Sequence, residues 1–345
     1  MELLEKDIAR LSEIIETAEP RNVAVVSHFN PDGDAIGSTL AWRRLLLGMG
    51  HNVECVVPNK FPGFLSWIED VDQIRIFKET PEESARVLNQ ADVIFFLDLN
   101  NVSRLEEEMA EAINSNQKAT KVLIDHHLQP PTDYFDLMFS FPDSSSTCYL
   151  VYKIIEKLKG VEVIDTALAS AIYVGMMTDT GNFTFSFLTP DLYRTIAVLV
   201  DKGIDIPRIN VEIYNSHTEQ RLRLLAYALG PKMEVFENGH AACIALSEYE
   251  LRKFDFQQGD TEGFVNYPLS IKGVLISATF LQTHKFIRAS FRSRGDMDVN
   301  VFARRYFNGG GHKNAAGGKS FVSLKESVEY YKKCVAEYFA ELGIE

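Results

Sequence analysis

Two short clusters of histidine and aspartate, each placed after an apolar run, could do chemistry in this 345-residue chain. The clusters are His28-x-x-x-Asp32-x-Asp34 and Asp125-His126-His127. Imidazoles and carboxylates are the side chains that hold divalent cations, and sites rich in carboxylates with a few histidines suit Mn or Mg. Together the two clusters predict a metal-dependent hydrolase.

Taken alone, the first cluster also has a simpler interpretation. Pro31 and Gly33 predict a tight loop that brings its three polar side chains to one point. An aspartate that merely caps the following helix would produce the same pattern, because Asp-rich turns are common. A second cluster at another strand end, with Asp98 at a third, favours metal binding.

Asp98 and Asp179 complete the candidate site. Asp98 ends the apolar run 93–97, and Asp179 precedes a glycine turn after an apolar helix pattern. The candidate metal ligands are His28, Asp32, Asp34, Asp98, His126 and Asp179. This set could hold two cations about 3.5–4 Å apart, with Asp98 as the bridge. Asp98, Asp125 and His127 are the candidate catalytic residues, and His127 is expected to hydrogen-bond or protonate the substrate.

These residues need a scaffold that gathers the ends of strands. Apolar runs at 23–28, 53–57, 93–97 and 122–124 alternate with helix patterns at 35–49 and 106–114, which predicts βαβ units and a parallel sheet. Further helices are predicted at 147–159, 166–177 and 192–202. Ligands of such folds gather at the carboxyl ends of the strands. The serines and threonine at 144–147 predict a helix N-cap that could also present amides to the site.

The C-terminal third has a different pattern. Strands are predicted at 241–246, 274–281 and 287–292, with helices at 299–307 and 324–342, an α+β order. The expected α/β architecture is therefore an N-terminal parallel-sheet domain with helices on both faces, followed by a smaller α+β domain. We predict a catalytic domain over 1–204, a helical linker over 205–230 and a substrate-binding domain over 231–345.

A glycine-rich segment, Gly309-Gly310-Gly311-His312, lies within the second domain. It is either a flexible loop or a set of backbone amides that a phosphate can approach, and it would open a helix. Five arginines precede it at positions 288, 292, 294, 304 and 305. Among them Arg292 is the best candidate for phosphate binding.

Composition excludes several classes of protein. A net charge of -13 argues against binding to long duplex nucleic acid, which requires many basic contacts. The four cysteines have no CxxC spacing, so neither a zinc ribbon nor a disulfide framework is expected, and a reducing cytoplasm fits. No apolar run reaches membrane-spanning length, so we expect no membrane anchor.

The histidine and aspartate motifs, in this order, resemble the four successive motifs of the DHH phosphoesterase superfamily. Gly309-Gly310-Gly311-His312 resembles the signature of the associated C-terminal domain. Within the superfamily, the two-domain arrangement is similar to the bifunctional oligoribonucleases, or nano-RNases, that also dephosphorylate 3'-phosphoadenosine 5'-phosphate (PAP).

The resemblance implies two divalent cations, Mn first and Mg or Co as alternatives. It places His28, Asp32 and Asp98 around one cation and Asp34, Asp98, His126 and Asp179 around the other. It also implies an active site in a cleft between the domains, with Arg292 and the segment Gly309 to His312 binding the nucleotide. The expected substrates are short oligoribonucleotides such as pApA, cut to mononucleotides, and PAP, converted to AMP. A homodimer is left open.

Three alternative functions stay open at this point. Relatives with the same catalytic core open cyclic di-AMP, and others are pyrophosphatases or exopolyphosphatases. A non-catalytic nucleotide sensor is the third alternative, and the expected mark of such a protein is a missing metal ligand. None of the six candidate ligands is missing here.

Overall fold

The structure is a computed structural model that describes residues 3–184 and 187–344. It divides the chain into two compact units, residues 1–216 and 217–345. The first unit contains the helices α1 (Glu5–Ile15), α2 (Gly33–Gly48), α3 (Pro81–Gln90), α4 (Glu107–Ser115), α5 (Thr147–Lys159), α6 (Thr166–Asp179), α7 (Pro190–Asp201) and α8 (Ile206–Asn210). Its strands are β1 (Asn22–Val26), β2 (Asn52–Val57), β3 (Ile74–Ile76), β4 (Val93–Leu97), β5 (Thr120–Asp125) and β6 (Leu137–Ser140).

The six strands form one parallel sheet in the order β3-β2-β1-β4-β5-β6. Neighbouring residues of β1 face opposite sides of this sheet, because side chains alternate along a strand. Val23 and Val25 pack in the core that α2, α5 and α6 cover, whereas Ala24 and Val26 pack in the core under α3 and α4. The predicted parallel sheet with helices on both faces is confirmed.

Two glycines let α2 and α6 pack at backbone distance. A Cβ atom at Gly37 would lie 2.4 Å from the carbonyl oxygen of Ala171. A Cβ atom at Gly175 would lie 2.6 Å from a carboxylate oxygen of Asp34. Larger residues would push these helices apart and would displace the side chain of Asp34.

The second unit is smaller and has a mixed sheet. Its elements are α9 (Glu219–Leu229), β7 (Met233–Phe236), β8 (Ala241–Leu246), α10 (Glu248–Lys253), β9 (Ile276–Gln282), β10 (Ile287–Ser293), α11 (Val299–Tyr306), β11 (Gly310–His312), β12 (Ala315–Ser320) and α12 (Leu324–Leu342). The strand order is β11-β12-β10-β9-β8-β7, and only the pair β8 and β9 is parallel. The predicted α+β character of this region is confirmed.

The glycine-rich segment was predicted as a loop that opens a helix, and this prediction is wrong. Residues Gly310–His312 form a strand that pairs with Ala315–Ser320 in a hairpin. Small residues are needed because the backbones approach closely: a Cβ atom at Gly309 would lie 1.9 Å from the carbonyl oxygen of Gly317. The glycines therefore serve hairpin packing.

The boundary between the two units lies inside the segment 205–230 that we predicted as a linker. Helix α8 belongs to the first unit, and α9 belongs to the second. Leu224 and Ala228 of α9 pack with Ile244 and Leu246 of β8, so this helix is part of the core of the second unit. Among the described residues, no helix combines the length and apolar character needed to cross a membrane.

Candidate active site

The candidate metal ligands of the first unit lie at the carboxyl edge of the parallel sheet. The chain order reverses between β1 and β4, and His28 and Asp98 follow these two strands directly. Loops on either side of such a reversal diverge, which leaves a crevice where α/β folds bind ligands. The carboxyl ends of β1 and β4 are therefore the expected position of a ligand-binding site in this fold.

Three groups of potential ligand atoms occur there, and the atoms of each group lie within 4.8 Å of one another. The groups are His28, Asp32 and Asp98; Asp34, His126 and Asp179; and Asp98, Asp125 and His127. The first two contain all six residues that the sequence proposed as metal ligands. Buried or partly buried carboxylates and imidazoles thus converge in one small volume.

The first group is held by the loop after β1. Nδ1 of His28 bonds the carbonyl oxygen of Phe29 at 2.9 Å, and its Nε2 lies 3.2 Å from Oδ2 of Asp98. Oδ1 of Asp32 accepts hydrogen bonds from the backbone N–H groups of Asp34 and Ala35. Asp32 is therefore the N-cap of α2, as the simpler interpretation expected, and it also belongs to the donor group.

The second group is centred on His126, which is almost fully buried. Its Nδ1 lies 3.2 Å from the carbonyl oxygen of Ser144, which turns Nε2 towards the carboxylates. Nε2 is 3.4 Å from Asp179 Oδ2 and 3.8 Å from Asp34 Oδ2. A backbone carbonyl that fixes one ring nitrogen in this way is typical of histidines that bind metals through the other nitrogen.

Asp98 connects the groups. Its Oδ2 faces His28, and its Oδ1 lies 3.5 Å from Nε2 of His126 and 3.4 Å from Nδ1 of His127. The backbone of Asp98 has a φ of 55°, in the left-handed region that few side chains occupy. Such strained residues cluster at functional sites, where surrounding contacts hold them in place.

The N-terminus of α5 holds two of the aspartates from behind. The backbone N–H groups of Thr147 and Cys148 donate to the carboxylate of Asp34 at 2.6 and 2.8 Å. The hydroxyl of Thr147 donates to Oδ1 of Asp98 at 3.0 Å. Amides at a helix N-terminus favour the charged form of a carboxylate, so α5 fixes both side chains in place.

Asp125 and His127 form a separate hydrogen-bonded pair. Asp125 Oδ1 lies 2.8 Å from Nδ1 of His127, and its Oδ2 accepts the backbone N–H of the same residue. A carboxylate can only accept, so Nδ1 carries the proton in this pair. Burial is the main cause that lowers the pKa of His127. The imidazole is therefore neutral near neutral pH, with a fixed tautomer.

The pKa values of the central residues show how crowded the charges are. Burial raises the pKa of Asp34, and the carboxylates of Asp98 and Asp179 raise it further. Burial alone would lower the pKa of His126, but the same carboxylates outweigh it and hold the pKa well above its usual value. Burial would raise the pKa of Asp98, yet its hydrogen bond to His126 and the nearby imidazoles of His127 and His28 hold the pKa well below its usual value.

This donor set fits divalent cations. The carboxylate charges that raise the pKa of Asp34 are those that a cation would neutralise, and a proton on His126 or Asp34 would occupy the position of a ligand electron pair. Oxygen donors with a few imidazoles suit Mn and Mg. The group of His28, Asp32 and Asp98 and the group of Asp34, His126 and Asp179 could each offer three ligand atoms to a cation.

The sheet of the second unit brings two of its candidate substrate-binding residues into one row. Arg292 of β10 and His312 of β11 are both paired with Ala315 of the intervening strand β12. Side chains of directly paired residues point to the same face of a sheet, so Arg292 and His312 share a face. One of the other arginines upstream, Arg305, forms an ion pair with Glu341 at the surface.

Asn300 supports the glycine-rich hairpin. Its Oδ1 accepts the backbone N–H of Gly311 at 3.0 Å and Nε of Arg304 at 3.1 Å. Asn300 lies in the first turn of α11 and is nearly buried. Asn300 therefore fixes the backbone that carries His312.

Family models match both units of the chain. Residues 22–176 match the DHH family, N-terminal domain, and residues 240–340 match the DHHA1 domain. The chain belongs to the DHH family. The matched regions contain all the candidate residues of both units except Asp179, which lies three residues beyond the first match.

Full-length relatives support this assignment. The chain is 27% identical over 335 residues to the bifunctional oligoribonuclease and PAP phosphatase NrnA of Thermus thermophilus, covering 96% of this chain and 94% of that protein. It is 25% identical to the cyclic-di-AMP phosphodiesterase GdpP of Bacillus subtilis, covering 95% of this chain but 49% of that protein. The crystal structure of an exopolyphosphatase-related protein from Bacteroides fragilis matches with a TM-score of 0.90 and 37% identity, covering 99% and 98% of the two chains. These relatives show that this DHH protein is a hydrolytic enzyme.

The sequence alone missed the contact of one residue at this DHH site. The threonine at 147 was predicted only as part of a helix cap, although its hydroxyl reaches Asp98. Arg104, which follows Asp98 by six residues and lies on the turn Val102–Arg104, was not singled out either.

Proposed function

We propose that this DHH protein is a Mn-dependent phosphoesterase that cuts short oligoribonucleotides, such as pApA, to mononucleotides and converts PAP to AMP. The observation that carries the proposal is the pair of donor groups that meet at Asp98. The relative from Thermus thermophilus, which aligns over nearly its whole length, supports the choice of substrates.

The proposed reaction adds water across a P–O bond. Two bound cations would lower the pKa of a shared water and offset negative charge on the phosphoryl oxygens. Asp98 contributes by holding its two carboxylate oxygens towards different histidines, His28 and His126. Thr147 and the amides of α5 keep these acidic side chains oriented. The bond from phosphorus to the leaving oxygen breaks, and that oxygen takes up a proton.

We assign His127 to the phosphate of the substrate. Asp125 engages Nδ1, so the opposite ring nitrogen, Nε2, is the atom that we assign to the substrate. The imidazole is neutral before substrate binds, because burial lowers its pKa. An anionic phosphate beside the ring favours uptake of a proton. The protonated ring could then donate a hydrogen bond to the phosphoryl group or the leaving oxygen.

We assign nucleotide binding to the DHHA1 domain. Arg292 and His312 share one face of its sheet, and Asn300 fixes the backbone between the glycines. A guanidinium recognises phosphate with two parallel hydrogen bonds, and glycine backbone allows close approach of a ligand. The net charge of -13 favours a small anionic substrate over a long nucleic acid. Four free, buried cysteines fit a reducing compartment such as the cytoplasm.

Cyclic di-AMP phosphodiesterase activity is the second candidate. The observation in its favour is the alignment of 95% of the chain with GdpP. Because the same donor groups would serve either substrate, the choice between them lies with the residues that bind the nucleotide.

A parallel turnover assay tests the proposal. Purified protein with Mn is offered pApA, a 5-mer RNA, a 24-mer RNA, PAP, cyclic di-AMP and pyrophosphate at equal concentrations. We expect fast release of mononucleotide from the two short RNAs, AMP from PAP, and much slower attack on the 24-mer. Preferred cleavage of cyclic di-AMP would establish the second candidate, and hydrolysis of pyrophosphate alone would refute both.

A further inference from the structure

Arg104 is an arginine of the first unit without a salt bridge in the described part of the chain. Its Nη1 is buried and has no hydrogen-bond partner there. Other partly buried arginines of this unit differ: Arg44 binds Asp165 and Arg75 binds Glu54. Leaving a buried charged donor unpaired costs free energy, so such groups in native proteins call for a ligand.

The backbone places Arg104 beside the donor groups. Asp98 ends β4, and the turn Val102–Arg104 follows, capped by the side chain of Asn101. The carbonyl oxygen of Arg104 accepts the backbone N–H of Phe29 at 3.1 Å, which ties this turn to the loop that carries His28. The arginine is thus fixed between the two strand ends that supply His28 and Asp98.

The charge of Arg104 acts on the same small volume. Burial is the main cause that lowers the pKa of His127, and the positive charge of Arg104 acts in the same direction. Arg104 is also among the charged neighbours of His28. The guanidinium therefore lies within electrostatic range of two candidate site histidines.

We infer that Arg104 binds the reacting phosphate of the substrate. The inference rests on the proposed function, since it names a further ligand of the phosphate in that reaction. The planar guanidinium matches two oxygens of a phosphate. Arg104 would thereby add its positive charge to that of the cations at the phosphate.

Arg104→Gln tests this inference, with Arg104→Lys as the conservative variant and Arg86→Gln, at an exposed position of α3, as the matched control. Kinetics on pApA with Mn give kcat and KM, and calorimetry gives the affinities for Mn and for inorganic phosphate in the presence of Mn. A charge-assisted pair of hydrogen bonds corresponds to a change of about 10- to 100-fold.

We expect Arg104→Gln to lower kcat/KM and phosphate affinity by about this factor. Mn affinity and the midpoint of thermal unfolding should match the control, and Arg104→Lys should recover part of the loss. A merely structural arginine would instead lower the unfolding midpoint and leave phosphate affinity unchanged.

The two readouts separate this inference from the proposed function. If the wild type cleaves pApA and Arg104→Gln keeps kcat/KM and phosphate affinity within about twofold, the inference is wrong and the function stands. If the wild type cleaves none of the substrates but binds phosphate through Arg104, the function is wrong and the inference stands. Failure of the wild type to bind phosphate at all would overturn the inference.

Discussion

Thr147 donates a hydrogen bond from its hydroxyl to Oδ1 of Asp98, across 3.0 Å and 49 positions of sequence. The bond joins the first residue of α5 to the aspartate that contacts His28 of one donor group and His126 of the other. The backbone N–H of Thr147 donates to Asp34 at the same time. One residue therefore positions carboxylates from two different elements of the fold.

Thr147→Val removes the hydroxyl and preserves the branched shape of the side chain. We expect Mn affinity to fall about 10- to 100-fold, because outer hydrogen bonds of metal ligands have effects of this size. Thr147→Ser retains the hydroxyl and should stay near the wild-type affinity. Calorimetric titration of the two variants with Mn measures these affinities. Equal Mn affinities would show that the hydroxyl does not position Asp98.

The pair formed by Asp125 and His127 allows a test of the tautomer. Asp125→Asn replaces an acceptor with a side chain that can also donate, so Nδ1 of His127 no longer has to carry the proton. We expect kcat on pApA to fall by about 100-fold or more, with a smaller change in KM. Steady-state kinetics measure both values. Asp133→Asn, at an exposed position, is the control, and a similar kcat in the two variants would contradict the assignment.

Protons and cations should compete at His126. Nearby carboxylates hold its pKa well above the usual 6.5 despite burial, so the cation-free ring carries a proton near neutral pH. A metal ligand must be neutral, and binding therefore releases that proton. We expect Mn affinity to rise as the pH increases, until the pH passes the raised pKa of His126. Calorimetry in buffers of different ionisation heat counts the protons, and affinity independent of pH with no proton release would exclude His126 as a ligand.

The raised pKa of His126 also predicts how the stability of the cation-free protein depends on pH. A histidine whose pKa is raised on folding contributes stability that is fully present below the unfolded value, near 6.5. This contribution is lost as the pH rises through the raised value. Comparison of wild type with His126→Gln by chemical denaturation, in the presence of a chelator, should show a difference in unfolding free energy that shrinks as the pH rises.

Gly309 should be intolerant of any side chain. A Cβ atom there would lie 1.9 Å from the carbonyl oxygen of Gly317, within the hairpin of β11 and β12. We expect Gly309→Ala to destabilise the second unit by about 2 kcal/mol, the usual cost of overpacking. Gly48→Ala, where nothing lies within 4 Å, is the control. Thermal unfolding that is equal for both variants would show that the hairpin can open without cost.

The elements that the sequence predicted are those with strong periodic signals. Strands such as β4, buried along its whole length, appear as continuous apolar runs, and α12 was predicted with the bounds that the structure has. The strand β3 has only three residues, and β6 is half-buried, so neither has a clear pattern. The glycine-rich hairpin was predicted incorrectly because its glycines allow two backbone segments to pack closely, and the sequence pattern does not distinguish this use from a loop.

The candidate site was accessible from the sequence where residues end strands. The rule that parallel strands share a carboxyl edge is enough to bring His28, Asp98 and His126 together. It does not reveal which side chain of α5 reaches Asp98, because that contact depends on how a helix packs against a strand far away in sequence. Arg104 was not singled out for a similar reason. Among the described residues its Nη1 atom is buried without a hydrogen-bond partner, and the sequence cannot show this.

Asp98→Asn tests the central claim most directly, because Asp98 is the residue where the donor groups meet. The amide preserves the size of the side chain and removes its charge. With Mn and pApA, we expect wild-type protein to release AMP, a chelator to stop the release, and Asp98→Asn to lose at least about 1000-fold in kcat while remaining folded. Unchanged turnover by Asp98→Asn, or turnover by the wild type in chelator, would contradict metal-dependent phosphoester hydrolysis at this site.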